Sequence, residues 1–392
     1  MPKVQHDYTA WVETDLKAVR ANFRAIKRLA GKRKVEQRVA QRFPAGDIRT
    51  PKILSVVKAD AYGHGMIPVA RELVRLGTDF LGVSEVAEGI TLRKNGIKKP
   101  ILVLEPPLPA EARQMVEHNL IGTVCTYTLA LALNTYAKSV NKRADIHIKV
   151  DTGMGRLGIW RDEAVDFIKK VMRLPNVSVK GLYTHFPLAD TDPEFTRRQI
   201  HDMYRLVDDL DRQDLIIPYV HGANSMGITA YKTRIFNVVR PGLMLYGLYP
   251  AKGHEDTIRL KPVMSVKARV IFVKTIAKGR GVSYGHTFVA KKAMKVATVA
   301  IGYNDGYMRA FSNKADVLIG GKRCRVLGRV TMDQIVVDVT GAGRVRPGTE
   351  AVIIGKQKKD RISADELAAC ADTINYEIVC SLGNRLPRMY KK

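Results

Sequence analysis

Hydrophobic positions fall into two regimes along the chain. From residue 50 to about 250, short apolar runs recur at 53–57, 80–83, 101–104, 121–125, 146–150, 179–183, 219–221 and 236–239. These runs are near-continuous, not alternating, which suits strands buried on both faces of a parallel sheet. The stretches between them carry the helical period. In 66–76, Ile67, Ala70 and Val74 fall on one stripe, and Gly77 supplies the stop. Residues 162–174 open with acids and close with Lys and Arg, as the helix dipole prefers. Eight strand–helix repeats predict an α/β chain with a (β/α)8 TIM-like barrel, whose usual size is roughly 250 residues. An open doubly wound sheet is the alternative.

After Lys261 the rhythm changes. Runs at 266–275, 296–301, 315–318, 323–327, 334–339 and 351–354 read as short strands, with Gly320-Gly321 as a hairpin signal between two of them. Ser363-Ala-Asp-Glu366 is a capping box ahead of one helix. The expected organisation is a barrel over residues 1–258 and a mainly β C-terminal domain over 259–392.

Composition narrows the class. A length of 392 residues, 46% hydrophobic and 26% charged, is a globular profile that excludes collagen-like or wholly disordered chains. No run approaches the ~18 apolar residues of a membrane span, and the first residues lack an apolar signal core, so a cytoplasmic chain is expected. The four cysteines are scattered with no C-x-x-C pair, so neither a disulfide frame nor a metal site is expected. The net charge of +27 is the unusual number. Ten Lys/Arg lie between Arg24 and Lys52 against two acids, Glu36 and Asp47. Nucleic-acid binding wants interleaved aromatics, and this stretch offers only Phe43, so segment 31–50 reads as a solvated basic helix end and loop.

Barrel enzymes build their sites just past the C-terminal ends of strands. Those positions are Lys58, Ser84, Glu105, Thr126, Asp151, His185, Asn224 and Arg240. Lys58 follows a buried run and precedes a glycine-rich turn; a lysine amine there forms Schiff bases with carbonyls, including the aldehyde of pyridoxal phosphate. Arg240 at a strand end reads either as a surface charge or as a partner for a pyridine nitrogen that does not give up its proton. Gly153-Met-Gly155-Arg-Leu-Gly158 fits the dinucleotide fingerprint G-x-G-x-x-G. It follows the fifth strand, however, and lacks the acidic residue expected about 20 positions on. Arg156 on that loop instead offers a planar fork for a carboxylate or phenolate.

Eight motifs resemble the alanine racemase family, in order across the chain. The barrel carries Ser55-Val-Val-Lys58-Ala-Asp-Ala-Tyr62-Gly-His-Gly65, Lys149-Val-Asp-Thr-Gly-Met-Gly-Arg156-Leu-Gly158, Gly181-Leu-Tyr-Thr-His185-Phe and His221-Gly-Ala-Asn-Ser225. The second domain carries Val282-Ser-Tyr284-Gly, Gly302-Tyr303-Asn-Asp-Gly306, Met332-Asp333-Gln and Ile374-Asn-Tyr376-Glu. The resemblance implies a pyridoxal 5'-phosphate-dependent enzyme of fold type III. It would interconvert L- and D-alanine by a two-base mechanism and supply D-alanine for peptidoglycan. It implies a homodimer in which each site joins one barrel mouth to the partner's β domain.

By the same resemblance, Lys58 carries the cofactor and acts on the D-amino acid, and Tyr284 acts on the L-amino acid. Arg240 partners the pyridine nitrogen with His221 behind it. Arg156 and Met332 contact substrate. Tyr62, Ser225, Gly242 and Tyr376 fall where the phosphate is held. Lys149 stands where the family often has a carbamate, with His185 and Asp333 as further supporting residues. A tyrosine base at neutral pH needs cations beside its phenolate, and His185 and Arg156 are the expected ones. Asn304 and Thr331 depart from the Ala and Cys of many relatives, near the site entrance. A racemase of serine or another amino acid, and a non-enzymatic pyridoxal phosphate carrier, are the alternatives.

Overall fold

The structure, a computed structural model, describes residues 7–32, 34–40, 42, 50–231, 233–251 and 253–392. Its contacts divide the chain into two units: residues 18–61 with 66–261, and residues 1–17 with 62–65 and 262–392. The strands, in chain order, begin with β1 (Ala10–Asp15), β2 (Lys52–Val56), β3 (Phe80–Val83), β4 (Ile101–Val103), β5 (Ile121–Val124) and β6 (Ala144–Asp151). They continue with β7 (Ile159–Trp160), β8 (Val177–Tyr183), β9 (Tyr219–His221) and β10 (Val238–Val239).

The first of these units is the barrel. Its eight parallel strands run in the order β10-β2-β3-β4-β5-β6-β8-β9, with the short β7 attached beside β6. All eight apolar runs expected from the sequence are strands here. Residues of β3, β4 and β5 are buried without exception, so each run faces core on both sides. β9 and β10 form no ladder, and the gap between them is bridged by the Asn237 side chain together with two backbone bonds, Asn237 N–H to Val220 and Arg240 N–H to Ala223. Asn237 accepts the Val220 N–H at Oδ1 (2.8 Å), and its Nδ2 donates to the Pro218 carbonyl (2.7 Å). The Asn237 N–H donates in turn to the Val220 carbonyl (3.0 Å). An amide side chain thus stands in for ladder bonds where β10 is only two residues long.

The other unit is built on β11 (Met264–Ile276), β12 (Gly281–Val282), β13 (Phe288–Val289), β14 (Met294–Val299), β15 (Asp316–Ile319) and β16 (Lys322–Leu327). It adds β17 (Ile335–Asp338), β18 (Glu350–Gln357), β19 (Asp360–Ile362) and β20 (Arg388–Lys391). Strands β11, β14, β17, β16, β15 and β18 form a closed ring, because β18 pairs with both β15 and β11. The N-terminal β1 joins this ring's sheet between β11 and β20, not the barrel. Its partners lie more than 250 residues away in sequence, so no local periodicity could have placed it. The Gly320-Gly321 hairpin forms as expected, with φ of 63° and 81° between Ile319 and Lys322, the positive-φ pair a two-residue turn requires. Half of the expected capping box forms: Ser363 Oγ accepts the Glu366 N–H (3.1 Å) at the head of helix Ala364–Ala371, while the Glu366 carboxylate accepts from Arg323.

Part of the basic segment 31–50 lies outside the described residues. The described part is less solvated than its charge implies. Val35, Val39 and Ala40 are buried, and Arg38 and Arg42 form ion pairs with Asp208 and Asp211 of helix Pro193–Asp211. Two of the six Lys/Arg of segment 31–50 are therefore committed within the barrel unit.

Replacing Asn237 by Leu should leave the Val220 N–H and the Pro218 carbonyl without partners in the core. Two lost bonds and two buried unsatisfied groups cost about 3 kcal/mol. Urea denaturation should read that loss, and a change below ~1 kcal/mol would contradict the closing role.

Candidate active site

Lys58 leaves β2 half-buried, and its amine makes no hydrogen bond or ion pair among the described residues. The chain then makes a left-handed turn. Ala59, Asp60, Ala61 and Tyr62 have φ of 52°, 51°, 56° and 54°. Each such non-glycine residue costs roughly 1–2 kcal/mol, so the surroundings must hold the turn. The Glu88 carboxylate accepts the N–H groups of both Ala59 and Ser84 (2.7 Å each), and the Asp60 carboxylate accepts that of Met66 (2.7 Å). The Ala61 N–H donates to the Val57 carbonyl (2.9 Å). Gly63 is required twice over: its φ is 76°, and a Cβ there would lie 2.2 Å from the Val379 carbonyl oxygen. Sequence reasoning missed Glu88, because Ala-Asp-Ala carries no mark of a left-handed turn that needs a bridging carboxylate.

Arg240 follows β10, the strand beside β2, and the Val56 N–H donates to the Pro241 carbonyl (3.0 Å) across that pair. Its guanidinium is buried with no carboxylate partner. Nη1 donates to His221 Nδ1 (2.7 Å), and Nη2 donates to the Thr184 (2.8 Å) and Gly222 (3.3 Å) carbonyls and His185 Nδ1 (3.3 Å). Burial lowers its pKa to about 10, so it stays charged at neutral pH. Its Nε–H makes no hydrogen bond among the described residues. Beside it, Ser225 Oγ accepts the Gly242 N–H (3.1 Å), which leaves the hydroxyl proton for another acceptor. Asn224 caps the short helix Ser225–Ala230 by accepting the Gly227 N–H (2.9 Å).

Lys149 lies inside β6 with its Nζ 5.1 Å from the Tyr183 ring centroid. Burial, then the guanidinium charges of Arg240 and Arg156, lower its pKa to about 8. The glycine-rich loop beyond it folds around Asp151, whose carboxylate accepts the N–H groups of Gly153 (2.8 Å), Met154 (2.7 Å) and Arg156 (3.1 Å). Gly158 lets that loop pack on β6, where a Cβ would lie 2.7 Å from the Asp151 nitrogen. The G-x-G-x-x-G pattern thus serves to present Arg156, exposed at the barrel mouth. The cationic role expected of His185 is not available to it. Burial, and the positive charges of Arg240, Lys149, Arg156 and Lys58, hold its pKa well below the usual imidazole value, so it is neutral.

The remaining sequence-derived residues lie in the other unit. The rings of Tyr62 and Tyr376 face each other at 6.2 Å between centroids. Tyr284 stands at the tip of the β12–β13 hairpin and is 72% exposed, flanked by positive φ at Ser283 (61°) and Gly285 (69°). Ser283 Oγ donates to the Arg329 carbonyl (2.6 Å) and fastens that tip. Met332 is 52% exposed; its carbonyl accepts the Asn304 N–H (3.0 Å). Asp333 accepts from Arg385 Nη1 (2.7 Å), while Arg385 Nε donates to Asp305 (2.8 Å), which ties the Met332 loop to the Gly302–Gly306 turn. Arg385 was not among the expected residues. Its signal would have been two acids, Asp305 and Asp333, on separate loops without a nearby base.

The barrel mouth presents an unpaired lysine and a buried arginine held by neutral acceptors, and the chain continues into a β domain, the two-domain class that comparison with known proteins identifies. Residues 14–250 match the family description "Alanine racemase, N-terminal domain" and residues 263–390 match "Alanine racemase, C-terminal domain". An alanine racemase of Halothermothrix orenii is 44% identical over 382 residues, covering 97% of this chain and 96% of that one. An alanine racemase of Carboxydothermus hydrogenoformans is 40% identical, covering 97% and 99%. Among solved structures, alanine racemase of Clostridium difficile superposes with a TM-score of 0.89 at 34% identity, covering 99% of this chain and 97% of that one. The Bacillus anthracis alanine racemase with bound L-Ala-P superposes at 0.86 and 32% identity, covering 99% and 96%. The chain belongs to the alanine racemase family, and its activity is that of an isomerase of alanine. The carrier alternative matches a barrel alone, whereas the family match here runs through the β domain.

Two fully buried histidines carry a pH signature. Burial, then the charge of Arg240, lowers His147 to about 3, and the same causes hold His221 well below its ordinary value. Both are neutral in the folded chain and become charged on unfolding below about pH 6.5. Their contribution to stability is complete above that pH and is lost as pH falls toward their folded values. Each proton bound by the unfolded state alone adds a slope of about 1.4 kcal/mol per pH unit below about pH 6, and His185 contributes in the same direction. Denaturant titrations at several pH values should show it, with His147→Gln removing about 1.4 kcal/mol per pH unit of the slope. A slope untouched by that substitution would contradict the assignment.

Proposed function

We propose that the barrel mouth binds pyridoxal 5'-phosphate, with Lys58 as its covalent anchor, Arg240 Nε–H against the pyridine nitrogen, and Ser225 and Gly242 on the phosphate. The observation that carries this reading is Arg240, a buried guanidinium with no carboxylate partner among the described residues and with its Nε–H uncommitted. Such a group calls for an acceptor that does not take its proton, which a pyridine nitrogen is. Lys58 and Arg240 follow paired neighbouring strands, β2 and β10, so both belong to the same end of the barrel. The hydroxyl proton of Ser225 is free for an anion.

Once bound, pyridoxal phosphate supplies the electron sink that makes the proton on the substrate Cα acidic. Because Arg240 keeps its proton, it tempers that sink and favours return of the Cα proton over other bond cleavages. Racemisation needs a proton removed on one face and returned on the other. Lys58 serves one face, for the D-amino acid. The protein acts as a homodimer, and Tyr284 of the partner subunit serves the opposite face, for the L-amino acid. The exposure of Tyr284, Met332 and Ile374 on one chain supports a covering partner. Arg156 holds the substrate carboxylate through its planar fork. The reaction takes place in the cytoplasm and supplies D-alanine for peptidoglycan.

The protein as purified should show the absorbance of bound pyridoxal phosphate, and Lys58→Ala should abolish that band and lower kcat by more than a thousandfold. A colourless native protein with no cofactor by mass spectrometry would refute the assignment. Tyr284→Phe should slow solvent-deuterium entry starting from L-alanine at least tenfold more than from D-alanine. Equal slowing in both directions would contradict the division of the two faces.

A further inference from the structure

Arg240 is one end of a longer chain of contacts inside the barrel. His221 accepts the Arg240 Nη1–H at Nδ1 (2.7 Å), and its Nε2 lies 2.8 Å from His147 Nδ1. A guanidinium cannot accept a hydrogen bond, so His221 Nδ1 must carry a lone pair and its proton must sit on Nε2. That proton is donated to His147 Nδ1, which leaves the His147 proton on its own Nε2. This last N–H, in a side chain of a residue that is 1% exposed, has no partner among the described residues. The order of donors therefore runs from Arg240 at the mouth to His147 near the opposite end of the barrel. There, the His147 ring lies among the first residues of β3 and β9, Phe80 at 6.5 Å and Tyr219 at 6.0 Å.

The backbone is built around this ring. The ladder between β6 and β8 shifts register between Ile146 and His147. On the facing strand, Gly181 leaves the space: a Cβ there would lie 2.4 Å from His147 Cγ and Nδ1. A residue that only filled volume would need neither a register shift nor an orphaned N–H, since a leucine fills as much space without a buried polar atom.

We propose that His147 is a positioning residue that holds His221 in the tautomer whose Nδ1 lone pair faces Arg240, and so holds the guanidinium at the barrel mouth. Without an acceptor at position 147, the Nε2–H of His221 is stranded in a dry core, a cost of the kind that drives a proton to the other ring nitrogen. His221 would then turn an N–H toward the Nη1–H of Arg240, and the two donors would part. The placement of the guanidinium stands on these distances; its use against a pyridine nitrogen rests on the cofactor reading above.

The test reads the tautomer directly. Ring-nitrogen NMR of 15N-histidine-labelled full-length protein, as purified at pH 7.5, is compared among native, His147→Leu and His147→Gln, with His221 assigned through His221→Asn. Native and His147→Gln should show His221 protonated at Nε2 alone, because the glutamine oxygen accepts in place of the imidazole. His147→Leu should show Nδ1 protonated in at least half the molecules, with kcat/KM for alanine down tenfold or more and restored to within threefold in His147→Gln. Should His147→Leu not fold, Gly181→Ala, which displaces the ring while keeping it, should give the same mixed tautomer. His147→Leu with the native tautomer, or with native kcat/KM, would overturn the proposal. A native protein with the stated tautomer but no pyridoxal phosphate would support the positioning role and sink the cofactor reading alone.

Discussion

A guanidinium buried in a barrel with no carboxylate to neutralise it constrains nearly everything around the mouth. Removing such a charge from water costs several kcal/mol unless its donors are satisfied. Arg240 meets this with the Thr184 and Gly222 carbonyls and the lone pairs of His221 and His185, drawn from the ends of β8 and β9. The carbonyls keep their direction only while those strands stay in register, and the imidazole accepts only while its proton is on the far nitrogen. Fold and charge state are therefore coupled at one residue. Burial first, and the Arg240 charge second, depress the pKa values of Lys149, His185 and His221; the two histidines are neutral, while Lys149, lowered to about 8, still keeps most of its charge at pH 7.

That coupling gives the site its chemical character. The barrel mouth is rich in positive charge, with Lys58, Arg156 and Arg240 unneutralised by carboxylates, and a ligand that enters must bring anionic or accepting groups. An amino-acid carboxylate and a phosphate are anionic, and a pyridine nitrogen accepts without taking a proton from arginine. A group that tempers an electron sink instead of strengthening it suits a reaction whose only net change is the position of one proton. The activity shared with the alanine racemase family is therefore also the one this electrostatic arrangement favours.

Much of this was legible in the sequence. The eight buried strands announced themselves as apolar runs because a parallel strand covered on both faces has no polar side to alternate with. Lys58 and Arg240 were visible as polar residues at the ends of those runs, Arg156 from its glycine-rich loop, and Ser225 only through the family resemblance. Other features depend on contacts between distant segments. Strand β1 pairs with β11 and β20 across most of the chain. The left-handed turn after Lys58 is held by Glu88 from the first turn of helix Val86–Lys94, and barrel closure by Asn237 depends on how short β10 is. His185 read as a cation because its surroundings are not visible in one dimension; burial among positive charges makes it neutral. Arg38 and Arg42 read as solvated charge, although their acids lie about 170 residues away.

The proposed function depends on Arg240 leaving the ring nitrogen of bound pyridoxal phosphate without a proton. Pyridoxal phosphate labelled with 15N at that nitrogen, bound to the native protein and read by NMR from pH 6 to pH 9, measures this directly. An unprotonated shift throughout, turned to a protonated one by Arg240→Glu, is the predicted result. A protonated ring nitrogen in the native protein at pH 7 would contradict it.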